Sequence, residues 1–405
     1  MLPHISTAPP DAFVNPALAR EQALLLACCR TDTGHEQQAR IRTLVLGLEN
    51  WGEFLALATR ERLIPLVAHS LHAACRETIP EAQATVLLRA SRAIAAKNLA
   101  ITQHLLELLR DFDAERIPYR VFKGPVLATS VYGNLALRTF EDADLLVPEE
   151  NVAQAWSILI AEGYAPLVDV DPRRCPQLLR YDCQCQFINR ENRSLHIDLH
   201  WHLAQASFNF HPTREQAWES EQIVTIGGRG VPTFGPEFSM IFLALHAARH
   251  LWEGLSWVVD VAALMRNTQL DWSRLLAQAS ALHVSRMVLI SATLAHDLLQ
   301  VPLPEVVRIE SEKDEQFGYW RSRILSLTLH EAGRDSEIEN HTMMLQFREH
   351  WQDKLRYAWG AVAYPTVAEW GVWKLPRSLS GLYYLLRLSR LMDKYLKRMY
   401  SRPSI

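Results

Sequence analysis

The strongest constraint on how this chain can fold is the segment Asp142-Ala143-Asp144, which runs directly into the apolar residues 145–147. Side chains alternate between the two faces of a β-strand, so both aspartates are predicted to share one face, about 6–7 Å apart along the strand. The apolar residues that follow indicate a buried strand. Two carboxylates there repel each other unless a cation lies between them, and their oxygens suit Mg²⁺ or Mn²⁺. An edge strand with two solvated aspartates is the alternative.

The residues that precede this strand predict a strand, a glycine turn and a helix. Val121-Phe122 is apolar, Lys123-Gly124 forms the turn, and Pro125 suits the first turn of a helix. Downstream, residues 181–189 and 194–200 alternate in polarity and are joined by a polar turn, which predicts a hairpin whose second strand carries Asp198. A second hairpin is predicted for 223–226 and 231–234.

The apolar pattern divides the chain into a helical, a mixed and a second helical region. The predicted fold class is α+β: a small mixed sheet with flanking helices, embedded between N-terminal and C-terminal helical regions. In the last region, residues 271–299 are predicted to form one continuous helix. The predicted domains are a loose N-terminus at 1–16, a helical domain at 17–115, an α/β core at 116–235 and a C-terminal helical domain at 236–405.

Composition narrows the class of protein. The net charge of -3 over 405 residues gives no reason to expect a nucleic-acid partner. The six cysteines contain no C-x-x-C pair, so we expect reduced thiols and a cytoplasmic protein. The sequence pattern predicts no signal peptide and no membrane-spanning helix. Residues 380–398 form a basic amphipathic segment that could contact a membrane surface, although a helix packed on the core is the more ordinary interpretation.

Several segments, taken together, resemble the bacterial "uncharacterised nucleotidyltransferase" family of the polymerase-β-like superfamily. The resemblance covers residues from about 20 to 396. The matching segments are Phe122-Lys123-Gly124-Pro125, Tyr132-Gly133, Arg138-Thr139-Phe140-Glu141-Asp142-Ala143-Asp144-Leu145-Leu146-Val147, Glu162-Gly163-Tyr164, Ile197-Asp198-Leu199-His200-Trp201, Leu245-His246-Ala247-Ala248-Arg249-His250, Leu255-Ser256-Trp257-Val258-Val259-Asp260, Leu375-Pro376 and Leu382-Tyr383-Tyr384-Leu385-Leu386-Arg387.

The sequence departs from the superfamily in its glycine turn. Other members carry Gly-Ser closer to the D-x-D strand, whereas here Gly124-Pro125 precedes Asp142 by 18 residues. The serine hydroxyl that usually contacts a phosphate is therefore missing. Lys123, Arg138 and Thr139 are the candidates to replace it, and the sequence leaves the choice among them open.

The resemblance implies an Mg²⁺- or Mn²⁺-dependent enzyme that moves a nucleoside monophosphate from an NTP to a hydroxyl or phosphate acceptor. The acceptor would be a small molecule, a sugar phosphate or a peptide, in a biosynthetic tailoring role. Nucleotidyl transfer depends on holding the reactants in position and on neutralising phosphate charge. Three carboxylates that bind metal ions, together with fixed positive charges, are suited to both tasks. The predicted metal ligands and catalytic residues are Asp142, Asp144 and Asp198, and the predicted nucleotide-binding residues are Lys123, Gly124, Arg138 and Thr139.

Histidines supply a second set of candidates. His246 and His250 are one helical turn apart, but the glutamate of a metalloprotease H-E-x-x-H motif is missing. We expect His200, His246 and His250 to contact the acceptor or a phosphate, with Asp260 orienting one imidazole. Histidines that only satisfy a helical interface are the alternative.

Two other functions fit the same pattern. One is a non-catalytic nucleotide-binding or interaction module, and the other is glycosyl transfer from a nucleotide-sugar at the same metal site. A shift in Tm with Mg²⁺ and NTP but without turnover would favour the module. The base, the acceptor and the oligomeric state stay open at this point.

Overall fold

The computed structural model describes residues 19–400 except 169, 174, 220, 330–336, 371–374, 376–378 and 380, so the predicted loose segment 1–16 lies outside the described residues. The described residues form two compact units. The first comprises the chain up to Ile94 together with Ala136–Thr139, and the second comprises Ala95–Leu135 and the chain from Phe140 onward. The domain boundaries expected from the sequence stay predictions.

The first unit is helical. A buried apolar core that includes Leu24, Ile41 and Phe54 holds its helices together. Asn50 begins one helix by accepting a hydrogen bond from the backbone N–H of Glu53, a standard N-cap. The helices are α1 (Arg20–Cys28), α2 (His35–Leu46), α3 (Trp51–Arg60), α4 (Ile64–Cys75) and α5 (Glu81–Ala114), the last of which ends in the second unit.

A mixed sheet forms the centre of the second unit. Its strands are β1 (Arg120–Phe122), β2 (Asp142–Leu146), β3 (Tyr164–Pro166), β4 (Gln184–Asn189) and β5 (His196–His200), in the order β1-β2-β5-β4-β3. Among the described strands of this sheet, only β2 and β5 pair in parallel, and the other neighbouring strands are antiparallel. Strands β6 (Glu221–Ile226) and β7 (Arg229–Phe234) form a separate hairpin. The α+β class is therefore confirmed.

One face of the sheet is covered by apolar side chains. Ala143 and Leu145 alternate with the aspartates of β2 and are fully buried. They belong to a core that includes Leu105 and Phe112 of α5, and Leu159 of α7 (Val152–Ala161). This packing fixes which way β2 faces, so Asp142 and Asp144 project from the opposite face.

Helices make up the remainder of the second unit. They are α6 (Gly124–Ser130), α8 (Pro176–Tyr181), α9 (Pro236–Arg249), α10 (Leu255–Asn267), α11 (Trp272–Ala281), α12 (Ser285–Leu299), α13 (Glu305–Glu312), α14 (Phe317–Leu329), α15 (Glu337–Phe347), α16 (Trp351–Ala363), α17 (Val367–Trp370) and α18 (Leu382–Tyr400). Among the described residues, no helix combines the length and the apolar character needed to cross a bilayer.

Two predicted elements have different boundaries in the structure. The single helix predicted for 271–299 is wrong: α11 and α12 are separated at His283, whose φ of 57° is left-handed. The backbone N–H of Val284 bonds the carbonyl of Ala279, which is how a Schellman-type helix end satisfies its last carbonyls. The predicted strand 181–189 begins only at Gln184, because Tyr181 ends α8.

The basic C-terminal segment forms α18. Within its described side chains, Arg387 and Arg390 both form ion pairs with the buried Glu369. Part of the basic face therefore stabilises the packing of α18 on α17. Contact with a membrane surface stays a prediction.

Candidate active site

The turn after β1 directs a lysine back over the sheet. Lys123 has φ 58° and ψ -146°, and Gly124 follows with φ 39°. A Cβ at Gly124 would lie 3.2 Å from the carbonyl oxygen of Asp142, so the close approach of the turn to β2 requires glycine. In this conformation Lys123 Nζ lies 2.7 Å from Asp144 Oδ1.

The backbone of Lys123 is strained, because a φ near +60° with an extended ψ is a region that glycine occupies almost alone. Both Lys123→Gly and Lys123→Ala remove the ion pair, but only glycine relieves the backbone. We expect the glycine variant to be more stable than the alanine variant by about 1–3 kcal/mol. Urea unfolding of the two proteins measures this difference. A more stable alanine variant would show that the turn relaxes when the lysine is lost.

The register of the sheet brings two aspartates and a histidine together. Asp144 lies opposite Asp198 in the parallel pair of β2 and β5, and His200 follows on the same face of β5. One ligand atom from each of these three residues lies within 4.8 Å of the other two. All three side chains are buried, whereas Asp142 is half-buried and pairs in register with His196.

Asp144 is held as a carboxylate. Burial by itself would raise its pKa, but the Lys123 ammonium and the hydrogen bond with His200 outweigh burial, so the pKa lies below its ordinary value. His200 Nε2 lies 3.2 Å from Asp144 Oδ1. This oxygen therefore contacts two nitrogen groups in a site with little access to water.

Asp198 has the opposite electrostatic environment. Gln184 Nε2 donates a hydrogen bond to Asp198 Oδ2 at 2.6 Å, while Asp198 Oδ1 is buried and accepts no hydrogen bond from the described residues. Burial raises the pKa of Asp198 to about 6, and the charges of Asp144 and Asp142 act in the same direction. Two neighbouring carboxyl groups with pKa values shifted apart are common at sites of acid–base chemistry.

The cluster fits a divalent cation. A buried carboxylate oxygen without a partner costs free energy, and a cation would supply the missing partner for Asp198 Oδ1. Carboxylate oxygens suit Mg²⁺ and Mn²⁺, and the imidazole of His200 adds a nitrogen that Mn²⁺ and Zn²⁺ accept more readily than Mg²⁺. The donor set therefore supports a metal site and leaves the identity of the metal open.

His246 of α9 and His250, which follows the last residue of that helix, form a row of rings with Phe242 that starts beside Lys123. Lys123 Nζ lies 5.7 Å from the ring centroid of Phe242, and the ring of His246 lies 6.1 Å from that of Phe242. His250 continues the row and stacks on Trp257 at 4.8 Å. The structure thus brings this helix face to the lysine turn, and a role in contacting phosphate or acceptor stays a prediction.

The other predicted residues are distributed more widely. Asp260 accepts a hydrogen bond from the hydroxyl of Tyr132 at 2.6 Å, and its predicted role in orienting a histidine stays a prediction. Arg138 and Thr139 belong to the first unit, whereas the carboxylates belong to the second. Their nucleotide-binding roles, like that of Gly124, stay predictions.

Sequence reasoning missed Gln184, which is the hydrogen-bond donor to Asp198. Gln184 pairs with His200 in the β4–β5 register and projects from the face that carries the carboxylates. The alternating pattern of the predicted hairpin indicates which face of the strand carries Gln184. Only the observed register shows that the side chain of Gln184 reaches Asp198.

The small mixed sheet between helical regions agrees with the fold that the resemblance to nucleotidyltransferases implied. The chain belongs to the uncharacterised nucleotidyltransferase family, whose model matches residues 48–300, more than half of the protein. No curated protein matches the sequence.

One similar solved structure is an antigenic nucleotidyltransferase-like protein from Paracoccidioides brasiliensis. It is 14% identical, and the match covers 50% of this chain and 93% of that chain with a TM-score of 0.31. A similarity this low supports no conclusion about the site.

Proposed function

We propose that this protein is a divalent-metal-dependent nucleotidyltransferase that moves a nucleoside monophosphate from an NTP to a hydroxyl or phosphate acceptor in a biosynthetic tailoring role. The observation that carries the proposal is the buried pair of Asp144 and Asp198 beside Lys123, with Asp198 Oδ1 lacking a partner among the described residues. Membership of the family supports an NTP as one substrate.

Asp142, Asp144 and Asp198 would hold Mg²⁺ or Mn²⁺. The bound metal would neutralise phosphate charge and lower the pKa of the acceptor hydroxyl. The carboxylates of β2 and β5 would be aligned before substrate binds, because the strand register and the hydrogen bond from Gln184 fix them.

The chain itself would position the phosphates. Lys123, with Gly124, Arg138 and Thr139, would bind the triphosphate. The acceptor oxygen would attack the α-phosphorus, the bond from that phosphorus to the bridging oxygen would break, and pyrophosphate would leave. For a hydroxyl acceptor, Asp198, whose Oδ1 accepts no hydrogen bond from the described residues, would help to hold the metal, and the proton would pass to solvent.

One observation favours a second function. The ion pair of Lys123 with Asp144 neutralises that carboxylate without any metal. A non-catalytic module that binds nucleotides would have this property, since its carboxylate would need no cation. We keep this module as the alternative.

A binding experiment and a turnover experiment separate the two functions. We expect Mg²⁺ or Mn²⁺ together with an NTP to raise Tm, because a ligand at about 100 times its Kd stabilises the fold by about 2.7 kcal/mol. We also expect pyrophosphate release once an acceptor is supplied. A rise in Tm without pyrophosphate release across acceptors of every proposed class would support the module instead.

A further inference from the structure

Helix α16 presents a row of large apolar side chains to solvent. The exposed row shares one face of the helix over about three turns and consists of Trp351, Leu355, Trp359 and Val362. Trp351 is 67% exposed and Trp359 is 66% exposed, although aromatic side chains are among those that gain most from burial. An exposed apolar surface of this kind indicates contact with a partner.

The opposite face of α16 is held on the rest of the protein. Asn209 Nδ2 donates a hydrogen bond to the buried Asp353 at 2.9 Å, and the ring centroid of Tyr357 lies 5.5 Å from that of Phe208. These contacts fix the rotation of the helix. The exposed row therefore faces outward because the other face is already occupied.

Positive side chains flank the exposed row. With 3.6 residues per turn, Lys354 lies beside one edge of the row and Arg356 lies beside the other. The Arg356 side chain is 61% exposed. An apolar helix face bordered by lysine and arginine is the pattern of helices that lie in the interface of a bilayer, where tryptophan is enriched.

The chain from residue 351 onward is strongly basic, although the whole protein is not. Residues 351–405 contain ten lysines and arginines and three aspartates and glutamates, in a protein whose net charge is -3. Two of these acidic side chains, Asp353 and Glu369, are buried. A local positive excess of this kind attracts the anionic headgroups of a bilayer.

Helix α18 packs against α16 and carries a second exposed apolar row. Arg387 Nη2 donates a hydrogen bond to the carbonyl of Ala361 at 2.8 Å, which ties the two helices together. Leu385, Leu388 and Met392 are exposed along one face of α18. The apolar rows and the basic residues thus belong to neighbouring helices.

We propose that the exposed row of α16, together with the basic segment around it, binds the surface of an anionic lipid bilayer, with α16 lying in the plane of the interface. The proposal does not depend on the proposed activity. It places the main apolar contact on α16 rather than on the basic face of α18.

A second copy of this chain is the competing occupant, and charge disfavours it. In a symmetric dimer the same patch meets itself, so the two positive segments would lie against each other. Anionic lipids would instead neutralise the positive segment.

Co-sedimentation of the full chain with vesicles tests this binding, with vesicles of phosphatidylcholine alone and of phosphatidylcholine with phosphatidylglycerol. We expect binding to the vesicles that contain phosphatidylglycerol, much less to the others, and weaker binding as salt is raised. Replacing both tryptophans, Trp351→Ser with Trp359→Ser, should weaken binding about tenfold or more. Arg356→Gln should weaken it about fivefold. No binding to phosphatidylglycerol, or equal binding to both kinds of vesicle, would overturn the proposal.

Tyr319→Ser is the matched control, because Tyr319 is an aromatic residue that is 62% exposed on another helix, α14. This control should bind vesicles as the wild-type protein does, and all variants should keep its Tm. Equal binding by the double tryptophan variant and by Tyr319→Ser would contradict the assignment. Sedimentation velocity without lipid tests the competing occupant: a dimer that only the double tryptophan variant abolishes would assign the row to a second copy and overturn the proposal.

Discussion

Replacing Asp198 by asparagine is expected to reduce turnover by about 10²–10³ while Mg–NTP binding is largely retained. Asparagine keeps the size of the side chain and one oxygen, but it contributes no negative charge to the metal site that would lower the pKa of the acceptor hydroxyl. Calorimetry with a nucleotide and pyrophosphate release with an acceptor measure the two effects separately.

Asp142→Asn is the matched comparison, because Asp142 lies on the face of Asp144 but pairs with His196 rather than with Asp198. It is expected to weaken metal–nucleotide binding itself. Unchanged turnover in Asp198→Asn would mean that another group performs its role. Equal losses of nucleotide affinity in both variants would contradict the proposed division of labour.

Removal of the Lys123 charge is expected to give the largest loss of stability. Asp144 is 2% exposed, so Lys123→Met leaves a buried carboxylate with His200 as its remaining partner in the cluster. Breaking a buried ion pair from one side typically costs about 3–5 kcal/mol. Urea unfolding of Lys123→Met, Asp144→Asn and the double variant measures this loss and the coupling between the two residues.

The double variant is expected to recover much of the loss, because it leaves no unpaired charge. Additive losses in the double variant would show that the ion pair contributes little. The same Lys123→Met protein should bind an NTP more weakly than the wild-type protein, and Arg138→Gln should do so too. Nucleotide affinity that is unchanged in both would contradict their assignment to the triphosphate.

The sequence was sufficient to predict a strand that carries Asp142 and Asp144 on one face. Side chains alternate between the faces of a strand, and the apolar run after Asp144 indicates that the strand is buried. It also predicted the two hairpins. It did not predict the break at His283, since a left-handed residue other than glycine has no clear signal in sequence. The fold class followed because the mixed segment carries strand patterns between long helical ones.

Details of the site depended on register and backbone conformation. His200 shares the face of Asp198, yet its imidazole lies beside Asp144 on the neighbouring strand, a contact that only the parallel β2–β5 pairing reveals. The positive φ of Lys123 likewise has no sequence signal, although it directs the lysine to Asp144. Gln184 was missed for the same reason.

The most direct test of the central claim is transfer of label from NTPs that carry ³²P at either the α or the γ position. The protein is incubated with Mg²⁺, labelled NTP and a panel of acceptors from every proposed class: small hydroxyl compounds, sugar phosphates and peptides. We expect α-label, but no γ-label, to appear in an acceptor, and we expect none from the Asp144→Asn variant. Transfer of γ-label, or equal transfer of α-label by Asp144→Asn, would contradict nucleotidyl transfer at these carboxylates.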